Sequence, residues 1–341
     1  MEIVISTKGL GREYEVYRRG EGIRELLRDF FHRQVTTKTA LQKCDVEIRS
    51  GDVIGLVGAN GAGKTTLLKL LSGLIFPSHG ELQVLGFKPW ERKNEFLRQI
   101  SLLLGQKNQL WWDLPPQESF SILARIYDLD LKTARQRVSH LSEVLSCGPQ
   151  LGVPLRRLSL GERMKMEVIG ALLHQPRVLF LDEPTIGLDI VAQVAIRDFI
   201  QDYVRSEKPT VILTSHYMDD ISMLANRLML MSQGQIIYDG TVQGFVERSE
   251  RLQKLTVHFI QASPVDLPLP NGKVLRAGES LFSAELKAGP LAETLQILMQ
   301  NLKIQEIKID NVEFEEVIHE FFAELSSRRH AVGASADRVQ I

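Results

Sequence analysis

The eight residues GANGAGKT at 58–65 fit the spacing G-x-x-x-x-G-K-[ST], and they constrain this chain more than any other feature. They follow DVIGLVG at 52–58, an apolar run that reads as a buried strand. They lead into AGKTTLLKLLSGL, a glycine-rich loop running into a helix that ends at Gly73. Between a strand and a helix, such glycines let backbone N–H groups turn inward around phosphate oxygens, and the helix adds the positive end of its dipole. The expected nucleotide-binding residues are therefore Gly58, Ala59, Asn60, Gly61, Ala62, Gly63, Lys64, Thr65 and Thr66. Lys64 is expected to reach the β and γ phosphates and Thr65 to offer its hydroxyl to Mg2+.

Alternating strand-like and helix-like stretches fill residues 40 to 240, the mark of an α/β domain with helices over a largely parallel sheet. Two further apolar strands, RVLFLDE at 177–183 and TVILTSH at 210–216, end in polar residues, and ligands sit at the carboxyl ends of such strands. RLMLMSQGQIIYDG at 227–240 resembles a hairpin turning at Gln233-Gly234. Residues 115–175 have helical periodicity and no convincing strand, so a helical insert over roughly 107–175 is expected. After Gly240 the pattern restarts with KLTVHFI, a Pro/Gly-rich loop at 264–272, a helix at 290–302, the strand IQEIKI and a helix at 312–325. This predicts a small separate α/β domain over 241–326. The last residues, 327–341, lack periodicity and read as a flexible tail.

The remaining chemistry falls at the ends of the predicted strands. VLFLDEP places Asp182 and Glu183 side by side after a buried run, where two carboxylates need cations nearby. Adjacent strand residues face opposite ways, so Asp182 is expected to order the waters of a Mg2+ and Glu183 to polarise the attacking water as general base. His216, ending TVILTSH, is placed to contact the γ-phosphate and to hold that water or Glu183. Gln106, at the boundary between sheet and helical insert, carries an amide able to ligate Mg2+ or water. Beyond it, Trp111 and Trp112 are core residues or a surface offered to a partner.

Taken together these motifs resemble the nucleotide-binding subunits of ABC transporters. The phosphate loop, the glutamine loop at Gln106, LSLGE at 158–162, VLFLDEP, IGLD at 186–189 and TSH at 214–216 occur in that family's order over about residues 3–240. GQKNQLWWDLP, LSLGERMKME and LDEPTIGLD look like the ATPase partners of ABC-2-type exporter permeases. The resemblance implies a P-loop NTPase ABC ATPase fold: a mostly parallel core sheet, an N-terminal antiparallel β part and an inserted helical subdomain, all within residues 1–240. It further implies a head-to-tail dimer around two ATP and Mg2+, formed by two copies or with a related subunit. Each ATP would lie between one phosphate loop and the partner's Ser159, Leu160, Gly161 and Glu162. Tyr14 best matches the aromatic residue that stacks on adenine, with Tyr17 second, and Asp189 matches the residue coupling the two sites. A peripheral position on the cytoplasmic face of the inner membrane, reached through a permease, is implied as well.

Two departures from the family pattern stand out. Its usual signature is Leu-Ser-Gly-Gly-Gln, whereas here Leu160 and Glu162 replace the third and fifth residues. Ser159 and Glu162 also form S-x-x-E, a capping box that would aim the carboxylate back at the Ser159 N–H, with Arg163 near enough to offset its charge. The second departure is the insertion of a basic amphipathic helix, 22–33, with Ile23, Leu26, Leu27, Phe30 and Phe31 on one face. It packs on its own domain or meets the permease or lipid.

Composition limits the alternatives. With 41 basic and 42 acidic residues the net charge is −1, so nothing global draws the chain to nucleic acid. No apolar run approaches the ~20 residues that span a bilayer, and two cysteines, Cys44 and Cys147, build no disulfide framework. A soluble ABC ATPase acting on nucleic acid or ribosomes, the main rival, usually carries tandem cassettes or a long coiled coil, and neither pattern occurs here.

Overall fold

The fold is that of a computed structural model, which describes residues 2–17, 35–105, 107–248, 252–259, 272–277, 281–287, 294–296, 298–299, 304–311, 314–318 and 321–323. Gln106, the helix expected at 22–33 and the tail at 327–341 lie outside the described residues. The chain divides into two compact units, Met1–Gly240 and Thr241–Ile341.

The first unit opens with two long antiparallel strands, β1 (Ile3–Tyr17) and β2 (Val35–Arg49). Strand β3 (Val53–Gly58) and helix α1 (Lys64–Leu71) follow, then β4 (His79–Val84), which adds to β1 and makes a three-stranded sheet in the order β2-β1-β4. After the short helix α2 (Asn94–Leu97) comes β5 (Ile100–Leu104). The helices α3 (Pro116–Ile126), α4 (Leu131–Val144) and α5 (Leu160–Leu172) then run without an intervening strand. The chain returns through β6 (Val178–Asp182), α6 (Ile190–Glu207), β7 (Thr210–Thr214), α7 (Met218–Leu224), β8 (Arg227–Ser232) and β9 (Gln235–Thr241). The second sheet has the order β5-β6-β7-β3-β8-β9, and its pairings from β5 to β8 are all parallel.

A parallel sheet covered on both faces explains the uninterrupted apolar runs. Every residue of β7 is buried, as are four of five in β6. Helix α1 packs where the two sheets meet. Its Leu67 and Leu71 line an apolar void of only about 10 Å3 with Ile5, Val46 and Ile48 of one sheet and Leu56, Ile212 and Met229 of the other. Truncating such a leucine to alanine costs about 2–5 kcal/mol, so the helix that follows the phosphate loop is held firmly. Hydrogen-bonded caps start the later helices: Asp130 accepts the Thr133 N–H at 2.8 Å, and Asp189 the Ala192 N–H at 2.8 Å. The β8–β9 turn falls at Gln233 and Gly234, whose φ values of 51° and 79° suit the right-handed twist of the hairpin.

The second unit holds α8 (Val242–Arg248) and strands β10 (Leu252–Phe259), β11 (Gly272–Ala277), β12 (Leu281–Lys287) and β13 (Ile304–Asn311). They form an antiparallel sheet in the order β11-β12-β10-β13. Leu255 and Val257 are fully buried, and the Phe245 ring meets those of Phe314 and Phe321 edge-on, with centroids 6.3 and 5.3 Å away. Strands β11 and β12 are additions to the sequence reading. GKVLRA and LFSAELK are too short and broken in pattern to announce strands, and neighbouring strands supply the definition.

Candidate functional site

Three strand ends, β6, β7 and β3, are neighbours in the sheet, and the polar residues predicted from the sequence gather at their carboxyl ends. Gly63 caps α1 with φ 109°, a conformation L side chains rarely adopt, and a Cβ there would lie 2.6 Å from the Ala40 carbonyl oxygen. The loop 58–63 therefore depends on a bare backbone at its last residue. Lys64 is 7% exposed and its Nζ donates to the carbonyls of Gly58 at 2.6 Å and Ala59 at 3.3 Å. Burial lowers its pKa, opposed by the nearby carboxylates of Glu183 and Asp182.

Asp182, at the end of β6, receives the Thr214 hydroxyl at 2.7 Å from its register partner on β7, and the Thr65 hydroxyl at 3.1 Å from the first turn of α1. Glu183 follows β6 rather than belonging to it. Its φ is +56°, so the two acids are separated by a turn and not by the alternation of a strand. Such a backbone costs of order 1–3 kcal/mol and persists only where surroundings enforce it. The Glu183 N–H donates to the Thr214 Oγ1 at 3.1 Å, and the Gly105 N–H donates to the Asp182 carbonyl at 2.8 Å. A side chain at Gly105 would collide with the Glu183 carbonyl. His216 likewise lies beyond its strand, which ends at Thr214, and its Nε2 is 2.9 Å from Glu183 Oε1. Asp182, Glu183 and Thr65 share a cavity of about 200 Å3 with Lys69, Leu104, Gly105 and Lys107.

A buried hub that the sequence did not reveal ties together the loops that follow β6 and β7. Asp220, 1% exposed, accepts the hydroxyls of Thr185 at 2.5 Å and Ser215 at 2.7 Å and the Arg197 Nε–H at 2.7 Å. Thr185 lies two residues after Glu183, and Ser215 directly precedes His216. The hint available was an acid next to Asp219 at the start of a helix, which by itself reads as a solvated first turn.

The loop 158–162 is built on a capped helix. Ser159 Oγ accepts the Glu162 N–H at 3.3 Å, and Glu162 Oε2 accepts the Ser159 N–H at 2.9 Å and its hydroxyl at 2.8 Å. These bonds, together with one from Gln150 Nε2 at 2.9 Å, hold the Glu162 carboxyl below its usual range. The cation that acts on this carboxylate is Lys165 and not Arg163, whose guanidinium lies 5.0 Å over the ring of Trp112. Gly161 abuts the next predicted motif, since a Cβ there would stand 2.9 Å from Ala192 Cβ, beside the cap of Asp189. Tyr14 pairs with Lys38 in the antiparallel sheet, two residues from the Ala40 carbonyl that meets Gly63, and Arg12 covers one ring face at 4.7 Å. Both cysteines are buried, which raises the Cys44 thiol to about 12 and the Cys147 thiol to about 11. Among the described residues, no helix is long and apolar enough to cross a membrane.

Comparison with known proteins bears on the family and the fold. Residues 41–186 match the family described as ABC transporter. The chain is 32% identical over 221 residues to the ABC transporter ATP-binding protein NatA of Bacillus subtilis, covering 65% of this chain and 89% of that one. It is 30% identical to the Nod factor export ATP-binding protein I of Cupriavidus metallidurans, covering 74% and 83%. A solved structure similar in fold is the dimeric ATP-binding cassette MJ0796 bound to ADP and Pi, with a TM-score of 0.57, 19% identity, and coverage of 70% of this chain and 98% of that one.

Proposed function

The chain belongs to the ABC transporter family of ATP-binding proteins, and from that membership we propose how its residues divide the work of an ATP-hydrolysing subunit of a membrane exporter. It is an ATPase of the ABC type, and relatives such as the Nod factor protein are named for export. Residues 1–240 are assigned to nucleotide binding, with a helical insert at 107–175. Residues 241–326 are assigned to a small accessory α/β domain. The energy is spent on a separate permease embedded in the inner membrane, which keeps this subunit on its cytoplasmic face. Two ATPase subunits, identical or related, close head to tail around two ATP.

The observation that carries the site assignment is the convergence of Thr65, Asp182, Glu183 and His216 at one end of the sheet, with Glu183 and His216 2.9 Å apart. The Thr65 hydroxyl and Asp182 carboxylate are hard oxygen donors, the kind Mg2+ takes in small number while phosphates and water fill its other positions. That cation would neutralise charge on the phosphates. The amides of 58–63 and Lys64 hold the phosphate chain. Glu183 removes a proton from the attacking water as its oxygen bonds to the γ-phosphorus and the bridging P–O bond to ADP breaks. His216 keeps the Glu183 carboxylate aimed through their hydrogen bond. Ser159 and Gly161 reach the γ-phosphate held by the other subunit, Asp189 links the two sites, Tyr14 stacks on adenine, and Gln106 serves the metal or water.

Phosphate release by the purified full chain tests this reading. Replacing Glu183 by Gln is expected to lower kcat by about 10²–10⁴-fold, the usual worth of a general base, while a fluorescent ATP analogue still binds. Hydrolysis at the wild-type rate would remove Glu183 from the role.

A further inference from the structure

Helix α5 has a stripe that the nucleotide chemistry does not use. Arg163, Glu167 and Gly170 recur at i, i+4 and i+7 and so share one side of the helix. Each holds part of the segment that leaves β5. The Arg163 guanidinium covers Trp112 at 5.0 Å. Glu167, 3% exposed, accepts the Gln109 N–H at 3.1 and 3.0 Å and the Leu110 N–H at 3.3 Å. Gly170 leaves room for Leu110, whose Cδ2 would be 3.1 Å from a Cβ added there. The Gln109 amide side chain also donates back to the Leu102 carbonyl in β5. Gln109, Leu110 and Trp112 are thus tied to α5, while the Trp111 and Trp112 side chains stay 39% and 43% exposed.

Glu167 is an expensive way to hold a loop. Burial pushes its carboxyl up to about 7 against the pull of the Gln109 and Leu110 N–H groups, and among the described residues no Lys or Arg pairs with it.

We propose that Glu167 is a positioning residue that joins segment 109–112 to α5 as one piece, so that force on the exposed Trp111–Trp112 step reaches Ser159 and Gly161 at the head of that helix. The proposal rests on the reading above, in which Ser159 and Gly161 meet ATP held by a second subunit.

Hydrogen exchange of the full chain, with and without MgATP, tests it. In wild type, MgATP is expected to slow exchange at 58–66, at 158–163 and, through Glu167, at 107–113. In Glu167→Ala and Glu167→Leu, neither of which offers an acceptor to Gln109 and Leu110, the first two responses remain and the third is lost. Without nucleotide, the Gln109 and Leu110 amides of Glu167→Ala exchange at least about tenfold faster, as expected when a buried N–H loses its acceptor. Glu167→Leu fills the same buried space without an acceptor and decides alone if the alanine variant does not fold. A persistent 107–113 response in both variants, or unchanged exchange at Gln109 and Leu110, overturns the proposal. A lower melting point with intact coupling overturns it too, leaving a merely structural residue. Absence of any wild-type response at 58–66 instead refutes the nucleotide reading, and the nucleotide-free comparison still decides the role of Glu167.

Discussion

Replacing Glu162 by Gln should leave ATPase activity nearly intact, although it sits in a loop expected to face a triphosphate. Its carboxylate points back at Ser159, accepting the N–H at 2.9 Å and the hydroxyl at 2.8 Å, and its other oxygen takes the Gln150 amide at 2.9 Å. A glutamine keeps one acceptor for the Ser159 N–H and turns its NH2 toward Gln150. There Oε1 of Gln150 is buried without a partner and can accept after an amide flip. What is lost is a negative charge at the N-terminus of α5, worth about 0.3–1 kcal/mol. A fall in Tm of no more than about 2–4 °C follows for a unit of this size. Because the lost charge does not face the reacting phosphate, kcat should change by less than about threefold, under ~1 kcal/mol in barrier height. Gly161→Asp provides the contrast. Its side chain would be driven toward Ala192 and bring a charge to the same helix end, so activity should vanish. Phosphate-release kinetics at saturating MgATP, with melting curves for both variants, decide the matter. A tenfold or larger loss in Glu162→Gln at unchanged stability would refute the capping account and give the carboxylate a part in catalysis.

Other perturbations follow from the same geometry. Gly63→Ala forces a Cβ against the Ala40 carbonyl at φ 109°, and should weaken ATP binding at least about tenfold, a loss of ~1.4 kcal/mol, by fluorescence titration. Asp220→Asn leaves Arg197 without its buried counter-charge and should cost about 2–4 kcal/mol in urea unfolding, with a fall in kcat because Thr185 and Ser215 flank Glu183 and His216. Burial lowers the pKa of His174 to about 4, so the folded state holds it neutral while the unfolded chain protonates near 6.5. The resulting stability is present above pH 6.5 and drains away toward pH 4, by about 3 kcal/mol. Urea unfolding of His174→Gln should lack that part of the pH slope.

The phosphate loop, the parallel sheet and the capped helix at Ser159 were legible because each is written in local pattern: a fixed spacing, an apolar run, an S-x-x-E. The acid pair was legible in identity but not in geometry. Nothing in VLFLDEP marks the end of β6 at Asp182, and the left-handed turn at Glu183 is imposed by Thr214 and Gly105, which lie 31 residues ahead and 78 behind. The Asp220 hub was hidden for the same reason, since its partners Arg197 and Thr185 stand 23 and 35 positions away. Arg163 was assigned to the nearest charge in sequence, whereas in space the Trp112 ring lies beneath its guanidinium. In the second unit, β11 and β12 take their definition from pairing partners that single-strand periodicity does not contain.

In the proposed dimer each hydrolytic site is shared, with the phosphate loop and Glu183 of one subunit completed by Ser159 and Gly161 of another. Mixing two inactive full-length variants tests it directly. Lys64→Ala removes the phosphate grip but leaves the signature loop, and Gly161→Asp does the reverse. In an equimolar mixture of freely exchanging copies, half the dimers are mixed and each carries one complete site of two. A head-to-tail arrangement therefore predicts recovery of about a quarter of the wild-type ATPase rate. A mixture as inactive as either variant alone, with mixed dimers demonstrated by native mass spectrometry, would contradict the shared site.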